Sequence, residues 1–176
     1  MVQRTFDGRI LVIVDANILI NLLKIGRFSL LRSLTGYAFR IPQEVLQEIR
    51  HPDQQAELLH ALQEGWIEEI RIDDMEELRL YAHYIRQMGD GEAACLAVAV
   101  KRKWVVACDE GRKQPFHREI CRRLGAPYLF NTPGILLQAI KTGVITVEEA
   151  DHLKGQLAQH RFLMNFQSFR EYLDSS

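Results

Sequence analysis

The sequence predicts an α/β protein with a central, mostly parallel sheet that is covered by helices on both faces. Short apolar runs of strand length alternate with segments of helical periodicity along most of the chain. The first run, residues 10–14, is continuously apolar, which is typical of a strand buried on both faces. It ends on Asp15, and the similar run at residues 104–108 ends on Asp109 and Glu110. Open α/β sheets bind ligands beyond the carboxyl ends of their strands, so these acids mark the edge where a functional site is expected.

About five strands are predicted, and each is followed by a helical pattern. The strands cover residues 10–14, 37–41, 66–70, 104–108 and 127–130. Glu68 and Glu69 lie within the third strand, and their charge predicts that this strand is near an edge of the sheet.

Helix boundaries are predicted from proline, glycine and acidic residues. Pro42 suits the first turn of a helix, and Pro52 closes that helix at its other end. Asp73 and Asp74 favour a helix start. The predicted helices cover residues 17–24, 28–34, 42–50, 54–63, 73–88, 92–102, 112–123 and 132–141.

The tail, residues 147–173, is predicted to be helical with an interruption near His160. No repeat, low-complexity segment or linker divides the chain. A single domain is therefore predicted over residues 1–176, with a helical C-terminal extension from about residue 146.

Composition predicts a cytoplasmic protein that does not associate with membranes. The net charge of −1 gives no overall basic signature of nucleic-acid binding. Three cysteines without paired spacing fit free thiols in a reducing compartment. The first nine residues contain no apolar signal segment, and no run approaches the roughly 20 residues that span a bilayer.

Four element boundaries carry acidic residues that a parallel sheet would bring to one edge. The candidates are Asp15, Glu44 or Glu48, Asp90 or Glu92, and Asp109 or Glu110. Clustered carboxylates repel each other unless a cation is present, and oxygen ligands suit Mg²⁺ or Mn²⁺. Such a site activates water and stabilises in-line displacement at phosphorus.

Each acid also has a purely structural interpretation. An aspartate after a strand commonly caps the next helix, and this applies to Asp15 and to Asp90 beside two glycines. Glu44 lies in a first helical turn, where it complements the helix dipole. Glu48 and Glu92 lie on largely apolar helix faces, where a buried acid needs a partner. Spacing alone leaves the choice within each pair open.

The motifs at these boundaries resemble those of the PIN-domain nucleases, and within them the VapC-like group. The similar segments are VIVDANILI at residues 12–20, residues 41–49, GEAACLA at residues 91–97 and VVACDEGR at residues 105–112. Many members of the family have aspartate at the third position, where this chain has Glu92.

The resemblance implies that Asp15, Glu48, Glu92 and Asp109 form an acidic site, in which Asp15, Glu92 and Asp109 bind Mg²⁺ or Mn²⁺. Asn17 would order a ligand or a water molecule. Glu110 would supplement Asp109. The fourth position of the motif is ambiguous by one residue, because two acids are adjacent there.

The activity implied by the resemblance is hydrolysis of RNA by an endoribonuclease, which leaves a 5′-phosphate and a 3′-hydroxyl. The family also suggests a homodimer and, for a toxin of a toxin–antitoxin pair, a small antitoxin protein as partners. Cationic residues flank the fourth strand and suit phosphate contacts: Lys101, Arg102, Lys103, Arg112, Lys113, Arg118, Arg122 and Arg123. Arg112 and Lys113 are the best candidates, because they follow Asp109 closely.

Two alternatives are compatible with the same motifs. A catalytically weak PIN module would keep the fold and act in nucleic-acid or protein binding. A phosphotransferase of the haloacid dehalogenase type also begins with a strand that ends in aspartate. That family requires a second aspartate two residues later, where this chain has Asn17.

Overall fold

The computed structural model describes residues 7–174, in which five parallel strands form one sheet in the order β3-β2-β1-β4-β5. Residues 1–6, where no signal segment was expected, and residues 175–176, the end of the predicted domain, lie outside the described residues. The strands are β1 Ile10–Val14, β2 Tyr37–Pro42, β3 Ile67–Ile70, β4 Val105–Ala107 and β5 Leu129–Phe130.

Helices lie on both sides of this sheet, which confirms the predicted α/β class. The first five are α1 Ala16–Lys24, α2 Leu30–Ser33, α3 Gln43–Glu48, α4 Pro52–Gln63 and α5 Met75–Tyr84. They are followed by α6 Asp90–Arg102, α7 Pro115–Arg123, α8 Thr132–Lys141, α9 Val147–Gln159 and α10 Phe169–Asp174. No helix described in residues 7–174 combines the length and hydrophobicity needed to cross a bilayer.

The central position of β1 explains its continuously apolar sequence. Val12, Ile13 and Val14 have no exposed surface, because β2 and β4 pair with β1 on either side and helices cover both faces. The charged strand β3 lies at the sheet edge, as its sequence predicted. Crossovers between parallel strands bring the carboxyl ends of all five to one side, where the acids follow them.

Several predicted boundaries near the site were wrong. Pro42 ends β2 with an extended backbone instead of opening α3. Helix α5 stops at Tyr84, and residues 85–87 form a turn. Helix α7 begins at Pro115, whose fixed φ suits a first turn, so Arg112 and Lys113 lie in the loop after β4.

The C-terminal region also departs from its predicted form. A short 3-10 helix at Ala126–Tyr128 replaces the first half of the predicted fifth strand. Helix α9 ends at Gln159, which agrees with the predicted interruption near His160, but the chain then has no regular structure until α10 begins at Phe169. The break occurs where Arg161 adopts a left-handed conformation with φ of 67°, which an α-helix cannot accommodate.

Helix α6 packs against α3, α5, α7 and the sheet, and its alanines allow this close packing. Ala93, Ala94, Ala97 and Ala99 are all fully buried. At the start of α6, a Cβ on Gly91 would overlap Glu48 Oε1 and lie 3.0 Å from Val45 Cγ2. The absence of a side chain at Gly91 therefore lets α3 approach the first turn of α6.

One nearly buried ion pair joins α5 to α6. Glu77 is 1% exposed, and its carboxylate accepts hydrogen bonds from Arg102 Nε at 2.5 Å and from a terminal guanidinium nitrogen at 2.8 Å. The Arg102 guanidinium also lies 5.0 Å from the centre of the Trp104 ring. A neighbouring pair, Lys101 with Glu76, is exposed.

We expect Glu77→Ala to lower the free energy of unfolding by about 1–3 kcal/mol, because it leaves the partly buried Arg102 without its carboxylate. Urea denaturation measures the change. Glu76→Ala is the matched control and should cost less than about 1 kcal/mol, since solvent screens that pair. Equal losses in the two variants would contradict this assignment.

Candidate acidic site

Asp15 lies at the junction of β1 and α1, with its side chain in the protein interior. Its backbone N–H donates to the carbonyl of Ala107 at 2.9 Å, which fixes the end of β1 against β4. The residue is only 2% exposed, and its Oδ2 is buried without a hydrogen-bond partner. A buried acceptor of this kind is costly unless a ligand or ion binds it.

Burial raises the pKa of Asp15 to about 7, and the charge of Glu92 acts in the same direction. Glu48 contributes a smaller repulsion, whereas the backbone amides of Ala16 and Asn17 act against the rise. The acids predicted from separate motifs therefore influence one another in the folded chain.

Glu92 and Glu48 both accept hydrogen bonds from backbone N–H groups at the start of α6. Glu92 Oε2 accepts a hydrogen bond from the Gly89 N–H at 3.2 Å, and Glu48 Oε1 accepts one from the Gly91 N–H at 3.0 Å. Burial raises the pKa of Glu92, and the charges of Glu110 and Glu48 add to the rise. The first turn of α6 thus holds two carboxylates beside Asp15.

Glu44, the alternative to Glu48, is also close to this edge. Its Oε2 is buried without a hydrogen-bond partner. The pKa of Tyr81 is raised first by burial and then by the charges of Asp90 and Glu44. Glu44 and Asp90 thus influence the pKa of Tyr81, and Glu48 and Glu92 influence that of Asp15. The charge of Glu44 also adds to the rise in the pKa of Cys95, as the charges of Asp15 and Glu48 do.

Asp109 is bonded to the neighbouring helices through both carboxylate oxygens. Oδ1 accepts from the Thr132 N–H at 2.8 Å, and Oδ2 accepts from Thr132 Oγ1 at 2.5 Å and from Asn21 Nδ2 at 2.8 Å. Burial raises the pKa of Asp109 against the opposing effect of these three bonds. Asp109 thus ties the end of β4 to α1 and to the first residue of α8.

Glu110, the next residue, is directed towards the other acids. Its Oε1 accepts a hydrogen bond from Asn17 Nδ2 at 3.2 Å, and its carbonyl oxygen is 3.0 Å from His117 Nδ1. The structure therefore gathers Asp15, Glu48, Glu92 and Glu110, with Asn17 orienting Glu110. That Asp109 binds a metal stays a prediction, and the hydrogen bonds that engage both of its carboxylate oxygens disfavour this role. Sequence reasoning missed the anchoring residues Asn21 and Thr132, because no motif links them to Asp109.

The donor set fits a hard divalent cation. It consists of carboxylate oxygens, one of which, Asp15 Oδ2, is buried and unpaired. Within residues 7–174 no three His, Cys, Asp or Glu side chains are arranged to enclose an ion by themselves. Mg²⁺ characteristically binds through one or two carboxylates and keeps several water molecules, so a pair such as Asp15 and Glu92 is compatible with it.

Half of the cationic residues around β4 are engaged in ion pairs. Arg122 and Arg123 contact Glu119, as Lys101 and Arg102 contact α5. By contrast, Lys103, Arg112, Lys113 and Arg118 form no ion pair with a residue in the described range 7–174, and all four are exposed. Arg112 and Lys113 follow Glu110 in the loop, which keeps them candidates for phosphate contacts.

A pocket of about 350 Å³ opens beside Glu110, between β5 and the segment that joins α9 to α10. Its walls include His117, Asn131, Phe162 and Phe166. A second pocket of about 510 Å³ adjoins it, shares His117 and Asn131, and contains Arg112 and Arg118. Together they extend from the acidic site to a cationic surface.

Comparison with known proteins identifies one family. The family model described as "DUF3368: PIN domain" matches residues 11–176. No curated protein sequence matches the chain. Among solved structures, the chain is similar to the crystal structure of PAE2754 from Pyrobaculum aerophilum, at 14% identity and a TM-score of 0.47. That match covers 82% of this chain and 99% of the other, and at this identity and score it carries no argument about the site.

We expect Asp109→Ala to destabilise the protein by about 2–4 kcal/mol, because it removes three hydrogen bonds and leaves buried donors unpaired. Glu110→Ala, the adjacent control, should cost less than about 1 kcal/mol. Urea denaturation of both variants measures the difference. A larger loss in Glu110→Ala would mean that the two acids have the opposite roles.

Asp15 should make the metal-free protein less stable as the pH rises. Its carboxyl binds a proton more tightly in the folded protein, with a pKa of about 7, than in the unfolded chain, with a pKa of 3.8. Stability is therefore lost between about pH 4 and pH 7 and stays low above that range. At pH 8 in EDTA, we expect Asp15→Asn to be more stable than the wild type by about 1–4 kcal/mol.

Urea denaturation across this pH range tests the expectation, with the exposed Glu57→Gln as control. The advantage of Asp15→Asn should disappear towards pH 4. If the stability difference between Asp15→Asn and the wild type is independent of pH, the pKa of Asp15 is not raised in the folded protein.

Proposed function

The chain belongs to the PIN-domain family, which is generally a family of nucleases, and from this premise we propose that it is a Mg²⁺- or Mn²⁺-dependent endoribonuclease. The observation that carries the proposal is the unpaired, buried Oδ2 of Asp15 in the company of Glu48 and Glu92. Three acids from distant parts of the sequence are held together at the carboxyl edge of the sheet. A structural role explains this costly arrangement poorly, whereas a shared cation explains it directly.

Asp15 and Glu92 would hold the cation, with Glu110 in place of Asp109 as the third acid. When bound, such an ion lowers the pKa of a coordinated water and stabilises the charge that develops on the phosphate. Asn17 keeps Glu110 oriented through the hydrogen bond from its Nδ2. Asp109 acts indirectly, because its bonds to Asn21 and Thr132 fix the chain that carries Glu110.

Glu48 is the acid best suited to accept the proton of the attacking water. Its Oε1 is bonded to the Gly91 N–H, which orients the side chain and leaves Oε2 as the proton acceptor. Arg112 and Lys113 would contact phosphates on the strand next to Glu110, and thereby supply affinity without reading sequence.

RNA as the substrate, the VapC-like subgroup and a toxin role rest on the resemblance of the motifs. The proposal includes two partners: a second copy of the chain, which would form a homodimer, and a small antitoxin protein. Light scattering on the purified protein and copurification with the product of an adjacent reading frame test these two partners.

A second candidate, a binding module with little catalysis, is favoured by two observations. Residues 7–174 contain no enclosed group of three metal-ligating side chains, and both Asp109 oxygens are engaged. Calorimetry separates the two functions, since the nuclease requires binding of Mn²⁺ or Mg²⁺ and the module does not.

We expect Asp15→Asn to abolish RNA cleavage in Mg²⁺ or Mn²⁺ while leaving the fold intact, because the neutral amide is a poor ligand for a hard cation. Excess EDTA should abolish cleavage by the wild type, and restored Mg²⁺ should recover it. Gel analysis of a labelled RNA measures cleavage, circular dichroism measures the fold, and the exposed Asp53→Asn is the control. Full activity of Asp15→Asn, or of the wild type in EDTA, would remove the proposal.

A further inference from the structure

We propose that the outer face of helix α5 is a docking surface for an acidic, amphipathic α-helix of another protein. The surface consists of Met75, Leu78, Ala82 and Ile85, which we call the α5 stripe. None of these residues lines the pockets beside Glu110, and the inference goes beyond the proposed nuclease activity without depending on it.

Helix α5 has two apolar faces, whereas a helix on the surface of a protein usually has one. Its inner face packs chiefly against α6. That face includes Leu80 and Tyr81, which pack on the core, and Tyr84, which is fully buried. Packing within the fold therefore accounts for the inner face and leaves the α5 stripe in contact with solvent.

The α5 stripe exposes several large apolar side chains side by side. Met75 is 65% exposed, Leu78 is 41% exposed and Ile85 is 39% exposed. In the described part of the chain only two other large apolar side chains are as exposed, Leu59 and Leu163, and they lie on different elements. Single exposed apolar residues are common, whereas a contiguous apolar patch is typical of a binding surface.

The spacing of the α5 stripe suits a helical partner. Its residues are separated by three, four and three positions, which is the spacing at which two packed helices meet. Ile85 continues the helical course, because its backbone stays helical and its N–H donates to the Tyr81 carbonyl at 2.9 Å. With a rise of 1.5 Å per residue the stripe is about 15 Å long, which matches about three turns of a partner helix. An amphipathic helix that lays its apolar face on this surface would cover all of it.

Charge beside the stripe specifies an acidic partner. Arg79 and Arg86 each follow a stripe residue directly and are seven positions apart, so they lie along one border of the stripe. Both are exposed, and neither forms an ion pair with any residue between 7 and 174. By contrast, Lys101 and Arg102 are paired with acids of α5 itself. Acids that flank the apolar face of a partner helix would pair with Arg79 and Arg86, as flanking charges do between packed helices.

A second copy of the chain fits this surface less well. Two α5 helices that meet antiparallel around a two-fold axis would place Arg79, which is near the middle of the stripe, beside its own counterpart. Like charges at such a contact repel. The chain from Arg79 to Arg86 contains no acid that could compensate them. The charge pattern therefore favours a partner of different sequence.

The test measures binding of synthetic peptides to the full-length protein by fluorescence anisotropy. The first probe is a fluorescein-labelled helix of about two heptads, with leucine at positions a and d and glutamate at the flanking positions e and g. The second probe carries lysine in place of these glutamates. We expect the glutamate probe to bind at least tenfold more tightly, because Arg79 and Arg86 attract it and repel the lysine probe.

Truncation of the stripe should weaken this binding. Leu78→Ala and Ile85→Ala should each lower the affinity for the glutamate probe about tenfold, as loss of one buried apolar anchor does. Leu59→Ala and Leu163→Ala are the matched controls, since they shorten exposed leucines elsewhere, and they should change affinity less than about twofold. Equal losses in stripe and control variants would overturn the proposal.

Reversal of the border charge should reverse the preference between the probes. The double variant Arg79→Glu, Arg86→Glu should bind the lysine probe more tightly than the glutamate probe. The double variant Arg112→Glu, Lys113→Glu removes the same amount of charge from another exposed segment and should keep the preference of the wild type. If Leu78→Ala lowers the melting temperature, this charge reversal decides the result.

Three further outcomes would contradict the inference. They are binding of neither probe, an unchanged preference in the Arg79→Glu, Arg86→Glu variant, and loss of the preference in the Arg112→Glu, Lys113→Glu variant. Sedimentation velocity of the protein without peptide tests the other occupant. A dimer that Leu78→Ala dissociates would assign the stripe to a second copy and overturn the proposal. Asp15→Asn protein should bind the glutamate probe as the wild type does, so the result is separate from that of the nuclease test.

Discussion

Burial of Asp15 at the end of the central strand, beside the carboxylates of Glu92 and Glu48, is the constraint on which the acidic site depends. β1 delivers Asp15 into the interior, where Oδ2 has no hydrogen-bond partner and the backbone amides of Ala16 and Asn17 offset only part of the cost of burying the charge. The surrounding elements hold this arrangement instead of relieving it. The Ala107 carbonyl fixes the backbone of Asp15, and Gly91 admits Glu48 to the first turn of α6. A fold that buries an acid in this way without a ligand gives up stability, so the arrangement is best understood through what it binds.

Two adjacent acids after β4 have different roles because the strand end sends successive side chains in different directions. Asp109 turns inward to Thr132 and Asn21 and holds α8 and α1 against the sheet. Glu110 turns towards Asn17 and Glu92. The anchoring acid and the site acid thus reinforce each other, since the first fixes the backbone that presents the second.

The distribution of charge separates stability from substrate binding. Arg102 joins α6 to α5 through Glu77, and Arg122 pairs with Glu119 within α7, so both are unavailable to a ligand. The exposed cations near Glu110 remain, and two of them, Arg112 and Arg118, line the pocket that adjoins the one beside Glu110. An almost neutral protein can in this way present an acidic centre and a basic border to one strand of nucleic acid.

The sequence by itself determined the fold class, the burial of β1 and the edge position of β3, because these follow from local apolar patterning and charge. It also located every acid of the site to within one or two alternatives. It did not determine which acid of each pair faces Asp15, since that depends on hydrogen bonds between residues such as Asp109 and Thr132, which lie 23 positions apart. It predicted the interruption near His160 but not the length of the irregular segment at residues 160–168, whose course depends on a left-handed Arg161 and on the distant anchor Asp151. Periodicity reports local structure, whereas the direction of a side chain at a strand end is decided by the tertiary partners that meet it there.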